Sequence, residues 1–144
     1  LPPAPPADDT ARAAARRARI LLVEDEMGVR ETTARILDRA GYDVTAVATP
    51  DEALTRFSER PGAVDLVITD IVMPGTMDGL GLAEICREQF PDLPILLTSG
   101  FSDAAQAADG RFDILRKPFE LSVLERAIEQ VIGDSRARPR ASAS

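Results

Sequence analysis

The sequence predicts an α/β protein with a doubly wound, five-stranded parallel sheet. Five short runs of aliphatic and β-branched residues are long enough for buried strands, and the segments between them are largely helical in pattern. Parallel strands need helical crossovers, and right-handed crossovers pack back onto the sheet, so we expect helices on both of its faces. The predicted strands are RILLVE (19–24), YDVTAVA (42–48), VDLVIT (64–69), LPILLTS (93–99) and the weaker RFDILR (111–116).

The predicted helices carry their own start and stop signals. The first, Gly28 to Gly41, ends at a glycine that suits a helix cap. The second, Thr49 to Arg60, begins with a threonine cap, a proline at the first helical position and acidic residues in the first turn. The other helices are Gly79 to Phe90, a short fourth helix within Ser102 to Asp109, and an amphipathic final helix from Glu120 to Ile132.

Charge and composition limit the possible functions. The chain carries 17 Lys and Arg against 24 Asp and Glu, and residues 19–133 hold 11 basic and 21 acidic residues, a net charge of −10, so we expect no nucleic-acid binding. No apolar run approaches the roughly 20 residues that span a bilayer, so no membrane contact is expected. The single cysteine and the absence of histidine exclude an internal disulfide and the commonest general base. We expect a cytoplasmic location.

The ends of the chain differ in composition from its body. Residues 1–18 are rich in Pro, Ala and Arg and are predicted to be a linker or disordered. Residues 134–144 have the composition of a disordered tail, which leaves residues 19–133 as the domain. The start at Leu1, without a secretory signal, suggests a piece of a longer protein.

Polar residues end four of the predicted strands, at the edge where doubly wound sheets bind ligands. Glu24 ends the first strand and Asp25 follows it, Asp70 follows the third strand and Lys117 the fifth, while Ser99 ends the fourth. Each of these residues alone has an ordinary explanation as a helix cap, a turn residue or a surface charge. Their co-occurrence at four strand ends favours a site.

The chemistry of this set points to phosphate. Two carboxylates ~4 Å apart repel by ~4 kcal/mol at the effective dielectric of a protein surface, so cations must compensate. Lys117 supplies one charge, and Mg²⁺ suits the carboxylates because it is a hard ion that prefers oxygen ligands. Asp70 would attack phosphorus to form an acyl phosphate, the metal and ammonium would neutralise the transferring oxygens, and Ser99 would donate to one of them.

Two nearby residues are expected to have no chemical role. Glu26 is expected to be solvated or to cap a helix. Cys86 lies on an apolar stripe with Leu82 and Phe90, so it is expected to fill the core.

Four motifs in combination, LLVEDE, VITDIVMPG…DGL, LLTSG and LRKPF, resemble the receiver domain of bacterial two-component response regulators. The resemblance covers roughly Arg19 to Gly133 and implies a flavodoxin-like sheet of order 2-1-3-4-5. It also implies that Asp70 accepts a phosphoryl group from a phosphohistidine on a partner. That partner would be a histidine kinase or a histidine phosphotransfer protein, and the domain itself is expected to be a monomer.

The resemblance also implies a ligand set for Mg²⁺. Asp25 and Asp70 would bind the ion directly, Glu24 would act mainly through water, and the backbone carbonyl of Val72 would complete the protein ligands. Ser99 and Lys117 take the family's Ser/Thr place and its invariant-lysine place.

Three features depart from the family pattern. The loop MPGTMDGL carries one extra residue, Ile114 stands where many receivers carry an aromatic residue, and only 17 residues separate Ser99 from Lys117. Because the fourth helix is only about two turns long and offers only alanines for burial, we expect residues 101–111 to be the least ordered part of the domain before phosphorylation and to order after it.

Several alternatives remain open from the sequence. The chain resembles receivers at the end of hybrid sensor histidine kinases, and a stand-alone regulator is the second reading. Whether it counts as an enzyme is open, since the domain alone would catalyse only its own phosphorylation and dephosphorylation, whereas a parent chain could be a kinase. An aspartyl-phosphate phosphatase is disfavoured because Val72 stands where such enzymes carry a second carboxylate. A nucleotide-binding module lacks a Gly-rich loop, and the complete acidic cluster argues against a receiver that only binds a partner.

Overall fold

The computed structural model describes residues 18–60, 62–71, 77–100, 112–117 and 119–137, with the backbone alone for 134–137. The predictions for the carbonyl of Val72, for the helix within Ser102 to Asp109 and for residues 1–17 lie outside the described residues. Within the described ranges, no helix has both the length and the apolar character needed to cross a membrane.

The strands form one parallel sheet, which confirms the predicted class. The order is β2-β1-β3-β4-β5, the flavodoxin-like order that the resemblance implied. Every adjacent pair is parallel, and the last pair aligns Ser99 of β4 with Arg116 of β5. The strands are β1 (Arg19–Val23), β2 (Asp43–Val47), β3 (Leu66–Asp70), β4 (Ile95–Ser99) and β5 (Asp113–Arg116).

Four helices lie in the described ranges, and their predicted signals are present. The Gly41 N–H donates to the Asp38 carbonyl at 3.0 Å, and the Tyr42 N–H donates to the Leu37 carbonyl at 3.2 Å. These two hydrogen bonds satisfy carbonyl groups at the end of the first helix, and they require the positive φ of 104° that Gly41 adopts. The Thr49 hydroxyl accepts from the Glu52 N–H at 3.2 Å. The helices are α1 (Met27–Arg39), α2 (Pro50–Glu59), α3 (Gly79–Gln89) and α4 (Leu121–Ala137).

Each face of the sheet has its own core, because successive strand residues point to opposite faces. One core packs α2 and α3 against the sheet, and Cys86 is fully buried there, as predicted. The other packs α1 and α4, with Leu37, Leu124 and Ile128 fully buried. With helices on both faces, the side chains of the central strands β1, β3 and β4 are buried except at strand ends, where Arg19 is exposed and Asp70 partly so.

Two predicted boundaries move. Ala18 belongs to the domain and not to the linker, because it is 4% exposed and its carbonyl accepts from the Asp43 N–H at 3.0 Å. The backbone of α4 continues to Ala137, four residues into the segment predicted as tail. Gly133 lowers helix propensity but does not stop a helix, and the next proline is Pro139.

Candidate functional site

The carboxyl edge of the sheet brings the predicted residues together. Asp70 and Ser99 are the last residues of β3 and β4, Glu24 follows β1, and Lys117 follows β5. The Glu24 N–H donates to the Val47 carbonyl at 3.1 Å, and the Lys117 N–H donates to the Ser99 carbonyl at 2.8 Å. These bonds fix the backbones of Glu24 and Lys117 to the neighbouring strands β2 and β4.

Lys117 joins two of the carboxylates. Its Nζ donates to Glu24 Oε1 at 3.0 Å and to Asp70 Oδ2 at 3.1 Å. The Glu24 side chain is 6% exposed and that of Asp70 is 15% exposed, so both ion pairs are partly shielded from water. The second oxygen of Glu24 accepts from the Glu26 N–H at 3.3 Å, which orients the carboxylate. One ammonium thus compensates two acidic groups from different strands.

Burial and ion pairing act on the charges of this site in opposite directions. Burial raises the pKa of Glu24 above its usual value, although the hydrogen bond and charge of Lys117 oppose that rise. Burial by itself lowers the pKa of Lys117, but the hydrogen bond to Glu24 and the charge of Asp70 outweigh it, and the pKa is raised. The ammonium of Lys117 therefore stays protonated, whereas the buried carboxylate of Glu24 carries a desolvation cost that a further cation would relieve.

Glu24, Asp25 and Asp70 can each place a carboxylate oxygen within 4.8 Å of the other two. Their burial ranges from buried Glu24 to exposed Asp25, so a bound ion would keep contact with solvent. Three carboxylate ligands in a site that is open to solvent on one side suit Mg²⁺, which prefers oxygen ligands and usually retains several waters. The donor set present therefore fits the ion that the sequence predicts.

Ser99 provides a hydroxyl at the same edge. Its side chain is fully buried, and its Oγ has no hydrogen-bond partner among the described residues. A buried hydroxyl without a partner is costly and uncommon in folded proteins. Such a group is available to a ligand at the strand ends.

The neighbouring positions are less specialised. Glu26 is exposed and stands at the N-cap of α1 without a side-chain cap bond, in agreement with the predicted solvated role. Ile114 is partly buried and packs against the core of the α2 and α3 face.

Two contacts at the site were missed by the sequence reasoning. The Arg30 guanidinium donates from Nη1 to the carbonyls of Glu24 at 2.9 Å and Asp25 at 3.4 Å. Gly79, at the start of α3, lies so close to β3 that an added Cβ would be 1.6 Å from the Asp70 carbonyl oxygen. For Arg30, the sequence offers no indication of a contact beyond its position one turn after the acidic residues. For Gly79, the only indication is the Asp78–Gly79 pair within the DGL part of the motif.

Comparison with known proteins agrees with this architecture. Residues 20–129 match the family model described as the response regulator receiver domain. A crystal structure of a response regulator receiver domain protein from Clostridium thermocellum is 27% identical, with a TM-score of 0.75, and the match covers 83% of this chain and 97% of that one.

Two curated relatives from Brucella abortus (strain 2308) place the same domain in proteins of different length. The response regulator receiver protein CpdR is 39% identical over 118 residues, which cover 79% of this chain and 96% of CpdR. The sensor kinase CckA is 40% identical over 119 residues, which cover 80% of this chain but only 12% of CckA. Since the family model spans most of the chain and a relative matches along nearly its whole length, the chain belongs to the response regulator receiver domains of two-component systems.

Proposed function

We propose that this receiver domain accepts a phosphoryl group on Asp70 from a phosphohistidine of a histidine kinase or a histidine phosphotransfer protein. The observation that carries the proposal is the contact of Lys117 Nζ with both Asp70 and Glu24, beside a three-carboxylate cluster. A carboxylate held next to a fixed ammonium can attack phosphorus while the charge on the transferring oxygens is compensated.

The proposed transfer is an exchange of one bond for another. An Asp70 carboxylate oxygen forms a bond to phosphorus, and the P–N bond of the phosphohistidine breaks with its electron pair staying on nitrogen. Because the other ring nitrogen already carries a proton, the leaving group departs as neutral imidazole. Lys117 lies against Asp70 and would neutralise a phosphoryl oxygen. The Ser99 hydroxyl, which has no partner among the described residues, would donate to another. No general acid is needed, because the leaving group is an imidazole.

Glu24, Asp25 and Asp70 would hold Mg²⁺, with the carbonyl of Val72 as a further proposed ligand. The ion would supply positive charge to the transferring phosphoryl oxygens. The desolvation cost of buried Glu24 supports the need for a second cation beside Lys117. Of this set, Glu24 would act mainly through water.

The relatives support two contexts for the same domain. CckA is a sensor kinase of which the matching part is a small fraction, and CpdR is a receiver protein of similar length to this chain. We propose the first context, a receiver segment of a hybrid sensor histidine kinase. The residues encoded before Leu1 test it: a kinase ATP-binding domain there would support it, and a start codon close upstream would refute it.

The phosphoacceptor role is tested with phosphoramidate, a small donor whose P–N bond resembles that of phosphohistidine. With Mg²⁺ the intact mass should rise by one phosphoryl group, and hydroxylamine should remove it because the product is an acyl phosphate. Asp70→Asn should not be labelled, whereas Glu26→Gln, a change at an exposed carboxylate beside the site, should be labelled like the wild type. Equal labelling of Asp70→Asn would contradict the assignment.

Metal binding is tested separately by thermal melting. A ligand that binds only the folded protein stabilises it by RT ln(1 + [L]/Kd), ~2.7 kcal/mol at a hundredfold excess over Kd. Mg²⁺ should therefore raise the Tm of the wild type, and Asp25→Ala should lose most of that rise. Identical melting curves with and without Mg²⁺ would remove the metal site.

A further inference from the structure

We propose that Arg30 is a positioning residue that holds the metal-binding loop between β1 and α1 in the geometry that binds Mg²⁺. The inference rests on the proposed function, because it concerns the loop that carries Glu24 and Asp25. It concerns backbone groups, since Arg30 bonds to carbonyl oxygens and not to the carboxylates.

The contacts of Arg30 are concentrated on this loop. Its Nη1 donates to the carbonyls of Glu24 at 2.9 Å and Asp25 at 3.4 Å, and its own backbone N–H donates to the Glu26 carbonyl at 2.8 Å. The Arg30 side chain therefore ties Glu24 and Asp25 to the first turn of α1, while its backbone N–H makes the ordinary first hydrogen bond of the helix to the N-cap residue Glu26.

The side chain of Arg30 is half-buried, and within the described ranges it makes no ion pair with a carboxylate. An arginine this close to an acidic cluster would ordinarily pair with one of the carboxylates. Here the carboxylates of Glu24 and Asp70 are paired with Lys117, and the Arg30 guanidinium bonds only to backbone carbonyls of the loop among the described contacts. In the part of the chain that the structure describes, Arg30 therefore engages none of the carboxylate oxygens of the cluster.

The effect on metal binding follows from the entropy of the loop. Asp25 is exposed, and the Arg30 bond is the contact that joins its carbonyl to another element among the hydrogen bonds of the described residues. Without it, a bound ion would have to order the loop itself. Groups that orient metal ligands from outside the ligand set typically change metal affinity by about 10- to 100-fold. We expect about tenfold, the lower end, because Lys117 and the Glu26 N–H also orient Glu24.

The positive charge of Arg30 would act in the opposite direction, since it repels a divalent ion. Substitution by methionine removes both the donors and the charge, whereas lysine keeps the charge and one donor group. The sign of the change in Mg²⁺ affinity therefore separates the two effects: weaker binding by Arg30→Met means that positioning dominates.

The experiment is isothermal titration of the metal-free chain with MgCl₂ at a temperature where every variant is folded, as judged by far-UV circular dichroism. Arg30→Met should raise the Kd about tenfold, and Arg30→Lys should lie between it and the wild type. Arg35→Met, at an exposed arginine of the same helix, is the matched control and should bind like the wild type. If Arg30→Met does not fold, Arg30→Gln takes its place, with a rise in Kd of several-fold expected.

Labelling by phosphoramidate supplies a second readout. At saturating Mg²⁺, Arg30→Met should be labelled at a rate within about twofold of the wild type, because Arg30 touches the loop and not Asp70. An unchanged Kd with a lowered Tm would mean a purely structural role and would overturn the inference, as would tighter binding or labelling that stays low at saturating Mg²⁺. If the wild type binds no Mg²⁺, the proposed function and this inference fall together; if the wild type and Arg30→Met bind equally, the inference alone is overturned.

Discussion

The close approach of Gly79 to the carbonyl of Asp70 allows a sharp test of how the fold supports the acceptor. An added Cβ would lie 1.6 Å from the Asp70 oxygen and 2.6 Å from its carbon, where ordinary contact begins at 3.4 Å, so α3 or the end of β3 must shift by about 1.8 Å. The obstacle is backbone, so no side-chain rotation can relieve it.

Neither side of this contact is free to move cheaply. The Gly79 N–H donates to the Ile71 carbonyl at 2.8 Å, and the Thr69 hydroxyl donates to the Asp70 carbonyl at 3.1 Å. The Ile71 N–H donates in turn to the Thr98 carbonyl at 2.9 Å. Forcing a methyl group into such a place typically costs 1–3 kcal/mol, and because strand hydrogen bonds would be disturbed we expect Gly79→Ala to lower the free energy of unfolding by about 3 kcal/mol.

Urea unfolding followed by circular dichroism would measure this loss, with Gly133→Ala as the control. Gly133 is an exposed helical glycine whose added Cβ would meet nothing within 4 Å, so alanine there should stabilise the protein by about 1 kcal/mol. The same Gly→Ala change is thus expected to have opposite signs at the two positions. Gly79→Ala should also be labelled more slowly, because Asp70 would shift relative to Lys117. A stability of Gly79→Ala equal to or above the wild type would refute the reasoning.

Two further predictions concern buried charge. Burial raises the pKa of Cys86 to about 12 in the folded protein, above its value of ~9 in the unfolded chain. The folded protein is therefore fully stable with respect to this thiol below pH ~9 and loses stability as the pH rises from there towards 12. At pH 10 the free energy of unfolding should be lower by about 1.4 kcal/mol. Urea unfolding at pH 8 and pH 10 should show a drop larger by that amount for the wild type than for Cys86→Ala, and equal drops would exclude it. Lys117→Met should lower the free energy of unfolding, measured in EDTA, by about 2 kcal/mol because it removes the ion pairs with Glu24 and Asp70. The loss is smaller than for a fully buried pair because the Lys117 side chain is 28% exposed. An unchanged free energy of unfolding would mean that these pairs contribute nothing to stability.

Much of the fold follows from local sequence. The apolar runs, the Thr49 cap and the glycine at 41 depend on neighbours within a few residues, and each appears in the structure where the pattern predicted it. The end of α4 was placed too early because the residues after Ile132 have the composition of a disordered tail, although Gly133 costs only about 1 kcal/mol in a helix.

The sequence by itself also predicted that Glu24, Asp70 and Lys117 lie at one edge of the sheet, because the carboxyl ends of parallel strands meet at one rim, and the structure brings them together there. Only the tertiary structure decided how these residues contact one another. Lys117 and Glu24 are 93 residues apart, and their 3.0 Å bond depends on the order and register of all the strands between them. The hydrogen bonds of Arg30 to the loop and the close contact of Gly79 with Asp70 likewise depend on how α1 and α3 pack against the sheet. Contacts of this kind involve backbone carbonyl groups, and the periodicity of a sequence does not indicate them.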